Sequence, residues 1–261
     1  MDSSWNKVAD WYDKHLEDDD TYHAKVVLPN LLRVMNIQKG DKILDLACGQ
    51  GYFSREFVKL DAKVIGIDAA PNLIEKAKAA GPKEITYKVA TSDRLDFLTA
   101  GSIDKIAIVL AIQNIENMAA TFDACSKVID PNGRLFIVMN HPAFRIPKCT
   151  NWGWDLTGKK QYRRVDQYMT EGKFKIDMNP GIRNQESGIR TTTKAETTVS
   201  FHRPLQVYMK TLANSGFCVT RLEEWISHRE SEVGPRKVAE DNARKEFPLF
   251  MMLECAKMPS R

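Results

Sequence analysis

The chain has 261 residues, 43% hydrophobic and 28% charged, with a formal net charge of +4. A chain of that length can bury a full core, its longest apolar runs are too short to cross a bilayer, and its five cysteines, an odd number with no Cys-x-x-Cys spacing, argue against a disulfide framework or a zinc site. The start, Met1-Asp2-Ser3-Ser4-Trp5-Asn6, shows no charged-then-apolar leader, so a cytoplasmic protein with no membrane partner and no bound metal is expected.

In chain order, residues 1–35 read as an N-terminal helical lid. Residues 1–30 carry seven acids against three lysines, whereas residues 142–203 carry twelve bases against six acids, so the lid is expected to pack over that later segment. Residues 41–47 read as a buried strand ending in Asp45-Leu46-Ala47-Cys48-Gly49-Gln50-Gly51, after which a helix starts near Tyr52 and Phe53. Residues 62–68 form a second buried strand with Asp68 at its carboxyl tip, where an acid can accept hydrogen bonds from both hydroxyls of a ribose. A dinucleotide would bring a pyrophosphate to the glycine turn, and Asp45 would oppose that anion. Its charge suits a ligand with a cationic centre and an ammonium group instead.

Pro71 and Gly81 bracket a helix over residues 71–80. Residues 84–90 read as a third strand followed by Thr91-Ser92-Asp93-Arg94-Leu95, and residues 103–110 as a fourth, running into Ala111-Ile112-Gln113-Asn114. A helix over 119–129, a turn at Pro131-Asn132-Gly133 and a fifth strand over 134–140 come next. Strands alternating with helices give an α/β fold whose sheet is covered on both faces. Residues 142–203 are the individual part, with Asn151-Trp152-Gly153-Trp154 and strand-like stretches at 161–169, 173–178 and 191–202. The two tryptophans suit either the wall of an acceptor pocket or the core of a small antiparallel layer. A helix over 204–215, a strand over 217–225, a mixed-charge stretch over 229–246 and a last strand over 247–256 close the chain.

The run from Asp45 to Gly51 resembles the first motif of the class I S-adenosylmethionine-dependent methyltransferases, acid-x-Gly-x-Gly-x-Gly, with Ala47 in place of the first glycine and Gly49 and Gly51 matching. The chain looks like a small-molecule, type 11 member. The resemblance implies a Rossmann-like, seven-stranded, mostly parallel sheet with an antiparallel last strand, helices on both faces and a β-rich insertion after strand 5. The core would be residues 36–141 and 204–261, and the insertion, residues 142–203, would select the substrate. It implies S-adenosyl-L-methionine as cofactor. Asp45, Ala47, Cys48, Gly49, Gly51 and Phe53 would surround its methionine part, Asp68 and Ala69 its ribose, Ser92, Asp93 and Leu95 its adenine, and Leu110, Ala111 and Ile112 its sulfonium side. Trp11 and Tyr12 look like an aromatic pair that closes over the cofactor. Cys48 is expected to pack rather than to react.

His141, in Asn140-His141-Pro142, is the candidate general base, and the amides of Gln113 and Asn114 are candidates for orienting the acceptor. The sequence after the fourth strand lacks an Asp/Asn-Pro-Pro-aromatic run and no cysteine follows a proline, which disfavours two kinds of nucleic-acid base methylation. The expected reaction is methyl transfer to an oxygen or nitrogen of a small molecule. The alternative is an RNA or DNA methyltransferase gripping phosphates with Lys159, Lys160, Arg163, Arg164, Lys173 and Lys175.

Overall fold

The computed structural model describes Trp5, residues 20–178 and residues 197–258. Trp11 and Tyr12 lie outside the described residues, as does most of the expected lid. A π-helical turn at His23–Val27 runs into α1 (Leu28–Met35), which ends at Asn36 in the left-handed conformation. There follow β1 (Lys42–Leu46), α2 (Tyr52–Val58), β2 (Lys63–Asp68), α3 (Pro71–Ala80), β3 (Thr86–Val89) and β4 (Ile103–Val109). A 3-10 turn at Ile112–Asn114 leads to α4 (Met118–Val128), whose first turn is capped by Asn117 Oδ1 accepting from the Ala120 amide at 3.0 Å. Next are β5 (Ile129–Asn140), the hairpin β6 (Thr150–Asp155) and β7 (Lys160–Val165), then β8 (Gly172–Asp177), β9 (Thr197–His202), α5 (Leu205–Asn214), β10 (Phe217–Trp225), α6 (Lys237–Glu246) and β11 (Phe250–Lys257).

Seven strands form one sheet in the order β3-β2-β1-β4-β5-β11-β10. β11 is antiparallel to both of its neighbours and the other pairings are parallel, as the sequence implied. The two-residue period of a strand explains how one apolar run serves both faces. Along β5, Leu135, Ile137 and Met139 point to a core completed by Phe122, Cys125, Tyr208 and Leu212 of α4 and α5. Phe136 and Val138 point the other way, to a core with Leu31 and Met35 of α1, Phe57 of α2 and Ile74 of α3.

The expected turn at Pro131-Asn132-Gly133 is not a boundary. β5 begins at Ile129, and the register jumps from Ile103↔Ile129 to Lys105↔Arg134, so these residues are extruded as a bulge inside a continuous strand.

Among its described residues the insertion is β-rich, as two separate two-stranded sheets, β6-β7 and β8-β9. The strand β6 that carries both tryptophans was not among the expected strand-like stretches. Trp152 packs edge-on to Phe247 at 5.5 Å with the Arg163 guanidinium 5.0 Å from its ring, and Trp154 lies under Arg236. The insertion is tied to the loop after β4, because Arg203 donates to the Ile115 and Glu116 carbonyls at 2.9 and 2.8 Å and Lys173 pairs with Glu116 at 3.0 Å. Among the described residues no helix is long and apolar enough to cross a membrane.

Candidate active site

The turn between β1 and α2 is built from backbone that glycine tolerates best. Gly49 and Gly51 have φ of 57° and 78°, and Ala47, where a third glycine would be easier, has φ of 60°. Gly51 is needed for space as well, since a Cβ there would lie 2.3 Å from the Tyr87 hydroxyl oxygen. Asp68 ties the turn to the neighbouring strand: its carboxylate accepts from the Gly49 amide at 3.0 Å and from the Ala70 amide at 2.8 Å. Burial raises its pKa, and those two hydrogen bonds pull the other way.

Asp45, 2% exposed, accepts from the Ser54 hydroxyl at 2.5 Å. Desolvation pushes its pKa up to about 7, helped by the charge of Asp68 and opposed by Ser54. It faces a small recess behind the turn, lined also by Ala47, Cys48, Gly49, Gln50, Tyr52, Phe53 and Val109. Burial and the Asp45 and Asp68 carboxylates push the Cys48 thiol well up, so it is a packing group and not a thiolate nucleophile.

In front of the turn, at the carboxyl ends of β1, β2 and β4, lies a cavity of about 290 Å³. Ala47, Gly49, Asp68, Ala69, Ser92, Asp93, Leu110, Ala111 and Asn114 of the expected set line it. Leu95 and Ile112 do not, because both side chains are buried in the sheet core. Trp5, Leu73, Thr91 and Asn117 also line it and were not singled out in the sequence. Trp5 packs against Ala70 and Leu73, so an aromatic residue from the amino-terminal segment does stand at this cavity. Among the described residues the buried Thr91 hydroxyl has no hydrogen-bond partner.

A second cavity of about 410 Å³ adjoins the first and shares Trp5, Leu110 and Asn114 with it. Its other walls are His23, Gln113 and Asn140, the segment from Arg145 to Pro147, and Thr150, Arg163, Ile176, Met178, Thr198 and Ser200 of the insertion. Leu110 at the junction has φ of 53°, and its carbonyl accepts from Gln113 Nε2 at 2.7 Å and from Asn114 Nδ2 at 3.5 Å. Gln113 and Asn114 are thus held at the meeting point of the two cavities.

His141 lines neither cavity. Its Nε2 is 2.7 Å from Glu224 Oε1, its Nδ1 accepts from the Ala143 amide at 3.2 Å, and its ring lies against Phe144. Burial lowers its pKa, partly offset by Glu224. Both ring nitrogens are used to join β5, β10 and the start of the insertion, so the expectation of a general base at His141 is corrected to a structural seat.

Residues 44–137 match the methyltransferase domain model. A ubiquinone biosynthesis O-methyltransferase from Xanthomonas oryzae is 30% identical over 101 residues, 38% of this chain and 42% of that relative. One from Xylella fastidiosa is 28% identical over 133 residues, 50% of this chain and 54% of that protein. The chain therefore spans about half the length of the curated relatives it matches. Among solved structures, an S-adenosylmethionine-dependent methyltransferase from Mesorhizobium loti superposes with a TM-score of 0.66 and 25% identity over 91% of this chain and 98% of that one. A glycopeptide N-methyltransferase complexed with sinefungin shares the fold at a TM-score of 0.57 and 14% identity, over 89% of this chain and 92% of that one. Over residues 44–137 the chain matches a methyltransferase domain, and its sheet order and glycine turn are similar to those of the solved S-adenosylmethionine-dependent methyltransferase from Mesorhizobium loti.

Proposed function

We propose that this protein transfers a methyl group from S-adenosylmethionine to an oxygen or nitrogen of a small-molecule acceptor. The observation that carries the reading is a pair of adjoining cavities at the carboxyl end of the sheet, one under the glycine turn and Asp68, the other under the insertion, meeting at Trp5, Leu110 and Asn114. The residues present fit the cofactor. Asp68 offers a carboxylate for ribose hydroxyls, Asp93 and the Thr91 hydroxyl offer polar contacts beside apolar walls at Leu73, Ala90 and Ile115, and the recess at Asp45 offers an acid for an ammonium group. When bound, S-adenosylmethionine supplies a methyl already activated by its sulfonium.

The protein's share of the work is then position and exclusion of water. Leu110 and Ala111 wall the junction, Gln113 and Asn114 orient the acceptor in line with the methyl, and Trp5 covers both sides. The names of the curated relatives, O-methyltransferases, support oxygen as the acceptor atom.

The test is calorimetric binding of S-adenosylmethionine and S-adenosylhomocysteine to the wild type and to Asp68→Ala. Binding that the substitution weakens about tenfold or more is expected, the loss of at least one charge-assisted hydrogen bond. Absence of binding to either compound would remove the reading.

A further inference from the structure

The second cavity has an unbalanced charge. Arg145 and Arg163 both line it, and no carboxylate does among the described residues. Arg163 is fixed from behind, donating to the Phe144 carbonyl at 3.0 and 2.7 Å and to the Thr150 hydroxyl at 2.8 Å, with its face against Trp152. None of those partners is charged. Arg145 enters no ion pair among the described residues and remains open to solvent; its aromatic contact is the Phe250 ring, 5.9 Å away. Partial burial lowers the pKa of the Arg163 guanidinium, and the Arg145 charge lowers it further. Two neighbouring cations with no counter-charge among the described residues repel one another, an arrangement that an incoming anion relieves.

Gln113 lines the same cavity with the opposite polarity. Gln113 is buried, its Nε2 is used on the Leu110 carbonyl, and its Oε1 is buried with no partner among the described residues. A lone acceptor atom there calls for a donor from a ligand.

We infer that the methyl acceptor is a small organic oxyanion whose carboxylate or phosphate is held by Arg145 and Arg163 and whose hydroxyl or amine, the group to be methylated, donates to Gln113 Oε1. This rests on the methyltransferase reading. It adds that the insertion selects charge, with the guanidinium fork suited to a planar carboxylate or a phosphate. The anion and the nucleophile sit at opposite ends of one molecule, so the Arg pair draws the substrate in and Gln113 sets its reacting end beside Leu110.

The experiment is calorimetry on protein saturated with S-adenosylhomocysteine, using benzoate and phenyl phosphate as anionic probes and benzamide as their neutral counterpart. At least one anion is expected to bind tenfold or more tightly than benzamide. Arg145→Gln should lose about tenfold or more of that affinity, Arg145→Lys should keep part of it, and S-adenosylhomocysteine affinity should stay within twofold in both. The better anion of the two tells a carboxylate site from a phosphate site. Equal binding of benzamide, no binding of either anion, or anion binding that Arg145→Gln leaves unchanged would overturn the inference. Failure of S-adenosylhomocysteine to bind would instead sink the methyltransferase reading, and it is measured separately in the same titrations.

Discussion

Asp45 shows how a residue proposed to bind a ligand works against the fold that holds it. Its folded pKa of about 7 stands above the ordinary 3.8, so the native state binds a proton that the unfolded chain has released. Its contribution is therefore fully present below pH 3.8 and lost as pH rises through 7, a differential of about 4 kcal/mol at most. Asp45→Asn, which keeps a hydrogen-bonding group beside Ser54, is expected to be more stable than the wild type at pH 8 by about 2 kcal/mol or more. Urea unfolding at pH 8 and pH 4 checks this, with the advantage shrinking at the lower pH, and the variant should bind S-adenosylmethionine more weakly. Ala47 is a milder case. A non-glycine residue at φ 60° costs about 1–2 kcal/mol, and glycine returns about 0.5–1 kcal/mol of that as chain entropy. Ala47→Gly should thus stabilise the protein by up to about 1 kcal/mol, and a clear loss in the same unfolding assay would mean the methyl group is needed for packing. The glycine turn and its acids were legible because they are local: Asp45, Gly49 and Gly51 fall within seven positions, and Asp68 ends the next strand. Arg145 and Trp5 carry no such signal, and Arg163 stands out only as one base of a basic insertion. Each is brought to the cavities only by the packing of separate segments of chain. His141 misled for the same reason, since Glu224, which engages it, lies on β10.

At the scale of elements, the core strands and helices were read within a few residues because each is a buried apolar run closed by turn residues. The bulge in β5 was not, since Pro-Asn-Gly signals a chain reversal equally well and only pairing with β4 decides. Gly133 is its tight point: a Cβ there would lie 2.7 Å from Ile129 Cγ1 and 2.8 Å from the Asp104 carbonyl oxygen. Gly133→Ala is expected to cost about 1–3 kcal/mol by overpacking, read as a lowered urea midpoint with an unchanged slope. An equal midpoint would mean that the bulge yields. The strand β6 escaped notice because its Asn-Trp-Gly-Trp sequence mixes a turn-forming residue with aromatic ones, and its place is fixed by pairing with β7 and by Phe247.

For the molecule as a whole, a ligand bound across the ends of β1, β2 and β4 joins parts of the sheet and should raise its stability by mass action. S-adenosylhomocysteine at a hundred times its dissociation constant adds about 2.7 kcal/mol, which for a chain of this size is a rise in melting temperature of about 5–10 °C. Asp68→Ala at the same concentration should show a clearly smaller rise. The basic insertion is less available to a polyanion than its composition suggests: Arg164 pairs with Asp166 at 2.7 Å, Lys173 with Glu116 at 3.0 Å, and Arg163 is turned into the cavity. Mixed-sequence RNA is expected to bind weakly, with a shallow dependence on salt, and a steep decline in affinity between 50 and 200 mM salt would favour the nucleic-acid alternative instead. The two cavities share Trp5 and the loop from Leu110 to Asn114 and are otherwise walled by different stretches of chain. That division matters to heredity more than to a single turnover. If the insertion selects the acceptor as proposed, descendants of this sequence could change diet by altering residues on β6 to β9 while the donor end passes on intact, so a library confined to those strands would search new acceptors without first having to relearn the old fold.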